Sequence, residues 1–64
     1  MNSMSPITVA RESAGISQSE LARRIGKSRQ QVHDWESGAR NPKLDALMKI
    51  AQALGVPLEA LLQK

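Results

Sequence analysis

The sequence contains no cysteine, no phenylalanine and no tyrosine, and its single aromatic residue is Trp35. Without cysteine there is neither a disulfide framework nor a thiolate metal site to reinforce the core, a composition that fits a reducing, cytoplasmic setting. No apolar run approaches the roughly 18 residues needed to cross a bilayer, so no membrane partner is expected. With one histidine, no glycine-rich phosphate loop and no paired carboxylates in a plausible cleft, the inventory offers no catalytic constellation; it points to no enzyme, no metal and no cofactor.

What remains is a small, basic, aliphatic chain. Its 64 residues allow one modest core, since a domain of this size buries only about 60% of its unfolded surface. Leu, Ile, Val, Ala and Met supply the apolar set, a palette that favours helices over sheets. Nine basic and six acidic residues give a net charge of +3. Between Arg23 and Lys43, six basic residues face only Asp34 and Glu36, whereas from Leu44 onward the charges cancel. A cationic segment of this kind favours a polyanionic partner.

Punctuation along the chain predicts five helices and no strand. Met1 to Ser5 has nothing to bury and reads as a flexible arm ahead of a domain spanning residues 6–64. Helix one opens near Pro6, carries Ile7, Ala10, Arg11 and Ala14 at helical spacing, and stops at Gly15. Ser17-Gln18-Ser19-Glu20 has the form of a capping box, so helix two starts there, buries Leu21, Ala22 and Ile25, and ends at Gly26. Ser28-Arg29-Gln30-Gln31 repeats the pattern only two residues later. Helix three therefore runs from Ser28 to Gly38 with Val32 and Trp35 turned inward. After an Asn-Pro loop, Leu44, Leu47, Met48, Ile50, Ala51 and Leu54 form a wide apolar stripe on a well-buried helix four. Pro57 opens a last helix with Leu58, Leu61 and Leu62 on one face. Those leucines either close the monomer's core or form a dimer surface.

From Gln18 to Ser37 a helix, a short turn and a second helix fit into twenty residues, with small Ala22 at the crossing, Gly26 at the turn, and Val32 and Trp35 as anchors. This segment resembles the helix-turn-helix of the Cro and phage-repressor proteins, the XRE family. The likeness extends from Ile7 to Leu62 through Arg11-Glu12, the run Gly15 to Ala22, Trp35-Glu36-Ser37-Gly38, Asn41-Pro42 and Ala53-Leu54-Gly55-Val56. Lys27, where the family commonly has an apolar residue, and Pro57, where it often has a hydroxyl cap, depart from the pattern. The resemblance implies an all-α, compact, five-helix lambda-repressor-like DNA-binding domain. It further implies a homodimer on a near-palindromic operator, with half-sites roughly 34 Å apart.

On a helical wheel at about 100° per residue, Arg29, Gln30, His33 and Asp34 lie opposite Val32 and Trp35. Arginine can donate two bonds to guanine, glutamine can pair with adenine, and aspartate can accept from cytosine N4. Arg29 and Gln30 are the principal base-reading candidates. His33 is open between a solvated and a base-contacting role, and Asp34 between holding Arg29, repelling wrong bases and reading cytosine. Gln18 matches a family position that contacts phosphate or bases. Ser17 and the free N–H groups of helix two, with Lys27, Ser28, Arg40, Asn41 and Lys43, are phosphate-binding candidates. Arg23 and Arg24 read as a solvated face. The resemblance pairs Arg11 with Glu36 in a structural ion pair. The leading expectation is a sequence-specific transcriptional regulator, a repressor by simple occupancy of duplex DNA. The rival is a protein-interaction module that engages a toxin or another regulator through Leu58, Leu61 and Leu62.

Overall fold

A computed structural model describes residues 5–62, which form four α-helices and one 3₁₀ turn with no strand among them. Helix α1 spans Pro6–Ser13, α2 Gln18–Ile25, α3 Arg29–Ser37 and α4 Leu44–Leu54. The expected fifth helix is instead a single 3₁₀ turn, Leu58–Leu61. Its backbone bonds run i→i+3, from Ala60 N–H to Pro57 C=O at 3.0 Å and from Leu62 N–H to Glu59 C=O at 3.1 Å, the tighter pattern that short pieces adopt. Of the expected arm, Met1 to Met4 lie outside the described residues. Ser5 is the N-cap of α1, its hydroxyl accepting from the Ile7 N–H at 3.1 Å.

Local chemistry sets the helix ends. Ser17 and Ser28 cap α2 and α3 in extended conformation, accepting from the backbone N–H groups of Glu20 and Gln31. At Ser28 the capping box is complete, since the Gln31 carboxamide oxygen accepts in return from the Ser28 N–H at 3.2 Å. The box expected at Ser17 forms only by half. The Glu20 carboxylate turns instead to Arg23 and Arg24, because a charged partner one turn away outbids a neutral amide. Gly26 has φ +72°, and Lys27 N–H reaches back to Ala22 C=O at 2.9 Å, so the chain reverses within three residues between α2 and α3. An L side chain at this φ would be strained, which is why glycine ends the helix.

The core gathers Ile7, Leu21, Ala22, Ile25, Val32, Ile50, Ala51 and Leu61, with Leu21, Val32 and Ile50 fully enclosed. Helix α2 packs against both α3 and α4, while the 3₁₀ turn seals the core against α1 and α4. Trp35 is half-buried against this cluster, in its expected anchoring role. Leu61 is buried and Leu58 half-buried, so these two help close the monomer's core, whereas Leu62 is 49% exposed. Helix four is less buried than its composition implies. Leu44 and Met48 are 59% and 55% exposed, because the inward face runs through Ala46, Ile50 and Ala51 and these two lie one side of it.

Candidate nucleic-acid interface

Helix α3 is held from behind and open in front. Val32, fully buried, and half-buried Trp35 fix one face, leaving Arg29, Gln30 and His33 exposed on the other. Arg29 makes no hydrogen bond or ion pair among the described residues, so its five donors face outward from the first turn of α3. A cation there opposes the helix dipole and gains nothing locally, which makes an anionic or acceptor-rich partner its natural complement. His33 is 54% exposed.

Gln30 and Asp34, both expected among the reading residues, are bonded to each other. Gln30 Nε2 donates to Asp34 Oδ1 at 3.0 Å, and Arg40 Nε lies 3.8 Å from Asp34 Oδ2. Arg40 is tied further by its backbone N–H, which donates to the Asp34 carbonyl at 3.2 Å. Asp34 therefore holds Gln30 and the loop after α3, not Arg29, and its side chain is half-buried.

Lys27, Arg40, Asn41 and Lys43 come together along one shallow groove of about 380 Å³, whose floor includes Gln31 and Trp35. Residues far apart in sequence meet here because α4 starts beside the α2–α3 turn. Three cations against the single carboxylate of Asp45 make the groove positive, and α3 contributes Gln31 and Trp35 to its lining. Ser17 and Ser28 stand apart from this cluster at the starts of α2 and α3, with their hydroxyls engaged as caps.

Glu36 is the structural hub behind the open face. Its carboxylate accepts from Arg11 Nε at 2.7 Å and Nη2 at 3.2 Å, from Thr8 Oγ1 at 2.9 Å and from Gln18 Nε2 at 3.1 Å. The expected Arg11–Glu36 pair is present, with side chains 12% and 7% exposed. Burial pushes the Glu36 carboxyl up, but the hydrogen bonds from Arg11, Gln18 and Thr8 outweigh it and hold the group below its ordinary range. The Glu36 hydrogen bond in turn raises the Arg11 guanidinium, against the effect of burial. Gln18, expected at the interface, spends an amide N–H on this hub and sits half-buried, its carbonyl oxygen still available. Thr8 went unnoticed in the sequence, although it lies three residues before Arg11 on the same helical face, a spacing that could have revealed it. Arg23 and Arg24 form the anticipated solvated face and share Glu20, whose carboxyl their hydrogen bonds lower to about 2.

The helix-turn-helix family profile matches residues 8–61. An uncharacterized HTH-type transcriptional regulator of Sinorhizobium fredii is 44% identical over 46 residues, covering 72% of this chain and 60% of that protein. Multiprotein-bridging factor 1 of Schizosaccharomyces pombe is 38% identical over 52 residues, covering 81% of this chain and 35% of that factor. Among solved structures, a hypothetical transcription factor from Neisseria, NHTF, superposes with a TM-score of 0.82 at 39% identity, over 88% of this chain and 63% of that one. The chain thus spans less than two thirds of the length of each of these relatives.

Proposed function

Since this chain belongs to the XRE-type helix-turn-helix family, we propose that it is a sequence-specific transcriptional regulator that sets α3 into the major groove of duplex DNA. The observation that carries this reading is the placement of Arg29, Gln30 and His33 on the one face of α3 left open, together with the positive groove of Lys27, Arg40, Asn41 and Lys43. Base-reading side chains in the first turns of a recognition helix match how such helices dock. The groove cations, with the N–H groups at the starts of α2 and α3 beside Ser17 and Ser28, supply phosphate contacts that give affinity and register without choosing sequence. The free carbonyl of Gln18 adds a further contact at the edge of the same face.

Two copies bind a near-palindromic operator, which doubles the contacts of a domain too small to bind tightly alone. Occupancy of a promoter is enough for repression, in the cytoplasm and without a cofactor or a catalytic step. A second reading, a protein-interaction module for a toxin or another regulator, draws support from the relative named for bridging proteins and from Leu62, 49% exposed at the chain's apolar end.

Selection of bound sequences from a random duplex pool, followed by binding over a salt series, tests the proposal. A two-fold symmetric site and a steep fall of affinity with salt are expected. Arg29→Ala and Gln30→Ala should each relax preference at one base position, by about 1–3 kcal/mol on the selected site. No selected sequence together with a flat salt response would favour the interaction module.

A further inference from the structure

We propose that Asp34 is a positioning residue that holds the carboxamide of Gln30 in the orientation that reads adenine, and does not itself read a base. This rests on the DNA-reading role assigned above to α3.

An ionised carboxylate only accepts, whereas a carboxamide has a donor end and an acceptor end that exchange places when the terminal bond turns over. Gln30 is exposed, and among the described residues only Asp34 bonds its tip. The 3.0 Å contact from Nε2 to Asp34 Oδ1 therefore selects one of the two orientations and fixes which end carries the NH₂ group. One N–H is used; the carbonyl oxygen and the second N–H remain. Adenine offers the complementary pair in the major groove, an N6–H donor beside the N7 acceptor. In the reversed orientation donor would meet donor and acceptor would meet acceptor. A tip already held also loses less rotamer freedom when DNA binds.

Asp34 is itself braced for this task. It lies one turn beyond Gln30, at the i, i+4 spacing that lets the two side chains meet along a helix. The Arg40 guanidinium stands 3.8 Å from its other oxygen, while the Arg40 N–H and the Ser37 hydroxyl both donate to its carbonyl at 3.2 Å. Arg40 offsets the negative charge that would otherwise face DNA phosphates. Oδ1 already accepts from Gln30 and Oδ2 faces the Arg40 guanidinium at 3.8 Å, so a cytosine N4 donor would compete with both. The same arrangement links the groove to the reading face, because Arg40 both lines the groove and braces the residue that orients Gln30.

The test is sequence selection from a random duplex pool with the wild type, Gln30→Ala, Asp34→Ala, Asp34→Asn and the double alanine variant, alongside thermal unfolding of each. Gln30→Ala should abolish preference at one A·T position. Asp34→Ala should weaken preference at that same position by about tenfold, leave the other positions intact, and add nothing in the double variant. Asp34→Asn keeps a carbonyl acceptor for Gln30 and should restore the preference, which a role resting on charge alone would not allow. Loss of preference at a different position in Asp34→Ala would show that Asp34 reads its own base and would overturn the proposal. So would a lower melting temperature with every preference unchanged, the result expected of a bond that merely stabilises the helix. If Asp34→Ala fails to fold, Asp34→Asn decides, and loss of the A·T preference there is equally fatal. A wild type that selects no sequence, or a Gln30→Ala variant that changes no position, overturns the functional reading itself and this inference with it; the Asp34 outcomes overturn the inference alone.

Discussion

Replacing Glu36 with alanine should cost about 3–5 kcal/mol of folding stability, the usual consequence of breaking a buried ion pair from one side. The carboxylate is 7% exposed and accepts four hydrogen bonds from three side chains on α1 and α2. Its removal strands Arg11, whose remaining partners are the Ile16 carbonyl at 2.8 Å and the exposed Glu12 carboxylate at 3.8 Å. A guanidinium cannot discharge itself by losing a proton, so it bears the full cost of its burial. Total stability for a chain of this length is on the order of 3–10 kcal/mol, which leaves Glu36→Ala near the edge of unfolding at room temperature. Arg11→Met should be milder, because the stranded carboxyl can take up a proton and keeps Thr8 and Gln18 as donors. The pair Arg11→Met with Glu36→Leu should recover most of the loss, since matched apolar replacements of buried ion pairs are often neutral. Urea unfolding of Glu36→Ala, and of Arg11→Met, Glu36→Leu and their double variant as a cycle, with the m-value checked for constancy, measures the cost and the coupling. A cost below about 1 kcal/mol for Glu36→Ala, or strictly additive singles, would refute the claim that this is a buried, interdependent network.

The same network sets a pH dependence. Glu36 titrates in the folded protein below its ordinary value of 4.5, so its stabilisation is complete above that value and is lost as pH falls through the folded one. Stability of the wild type should therefore decline in acid below about pH 4.5, and Glu36→Gln should flatten that decline in a pH series of denaturation midpoints. Glu20, lowered to about 2, acts in the same direction and continues the decline toward that pH. Lys43→Ala and Lys27→Ala should each weaken binding to all DNA sequences alike and reduce the salt slope by about one, as read from titrations at several ionic strengths. Gly26→Ala should cost about 1–2 kcal/mol by strain alone, because a Cβ there meets open space; a much larger loss in thermal unfolding would indicate a close packing contact. Leu44→Gln and Met48→Gln should each change stability by less than about 0.5 kcal/mol, despite both residues belonging to the apolar pattern of α4.

Features with local causes are legible in the sequence. Caps at Ser17 and Ser28, glycines at the ends of α2, α3 and α4, and the phase of Val32 and Trp35 against Arg29 and Gln30 each depend on neighbours within a turn or two. The helix order, the turn at Gly26 and the open face of α3 follow from them. The Arg11–Glu36 pair, twenty-five residues apart, was accessible only through resemblance to a family. Family likeness did not reveal that Thr8 and Gln18 share the same carboxylate.

Where several partners compete, spacing alone did not decide, within one helix as well as between helices. Sequence spacing allowed Glu20 to complete a capping box, yet two arginines on its own helix captured it. Periodicity made Leu44 and Met48 equivalent to Ile50, but the approach of α2, the 3₁₀ turn and α1 determines how wide a stripe of α4 is covered. Wheel geometry placed Asp34 on the reading face and left its partner open; the return of the chain through Arg40 gave it one. Short-range patterning thus determined which segments are helices and which face of α3 is free. The partners of individual charged and polar side chains depended on how the helices meet, because hydrogen-bond and ion-pair energies fall off within a few ångströms and spacing along the chain does not specify distances that small.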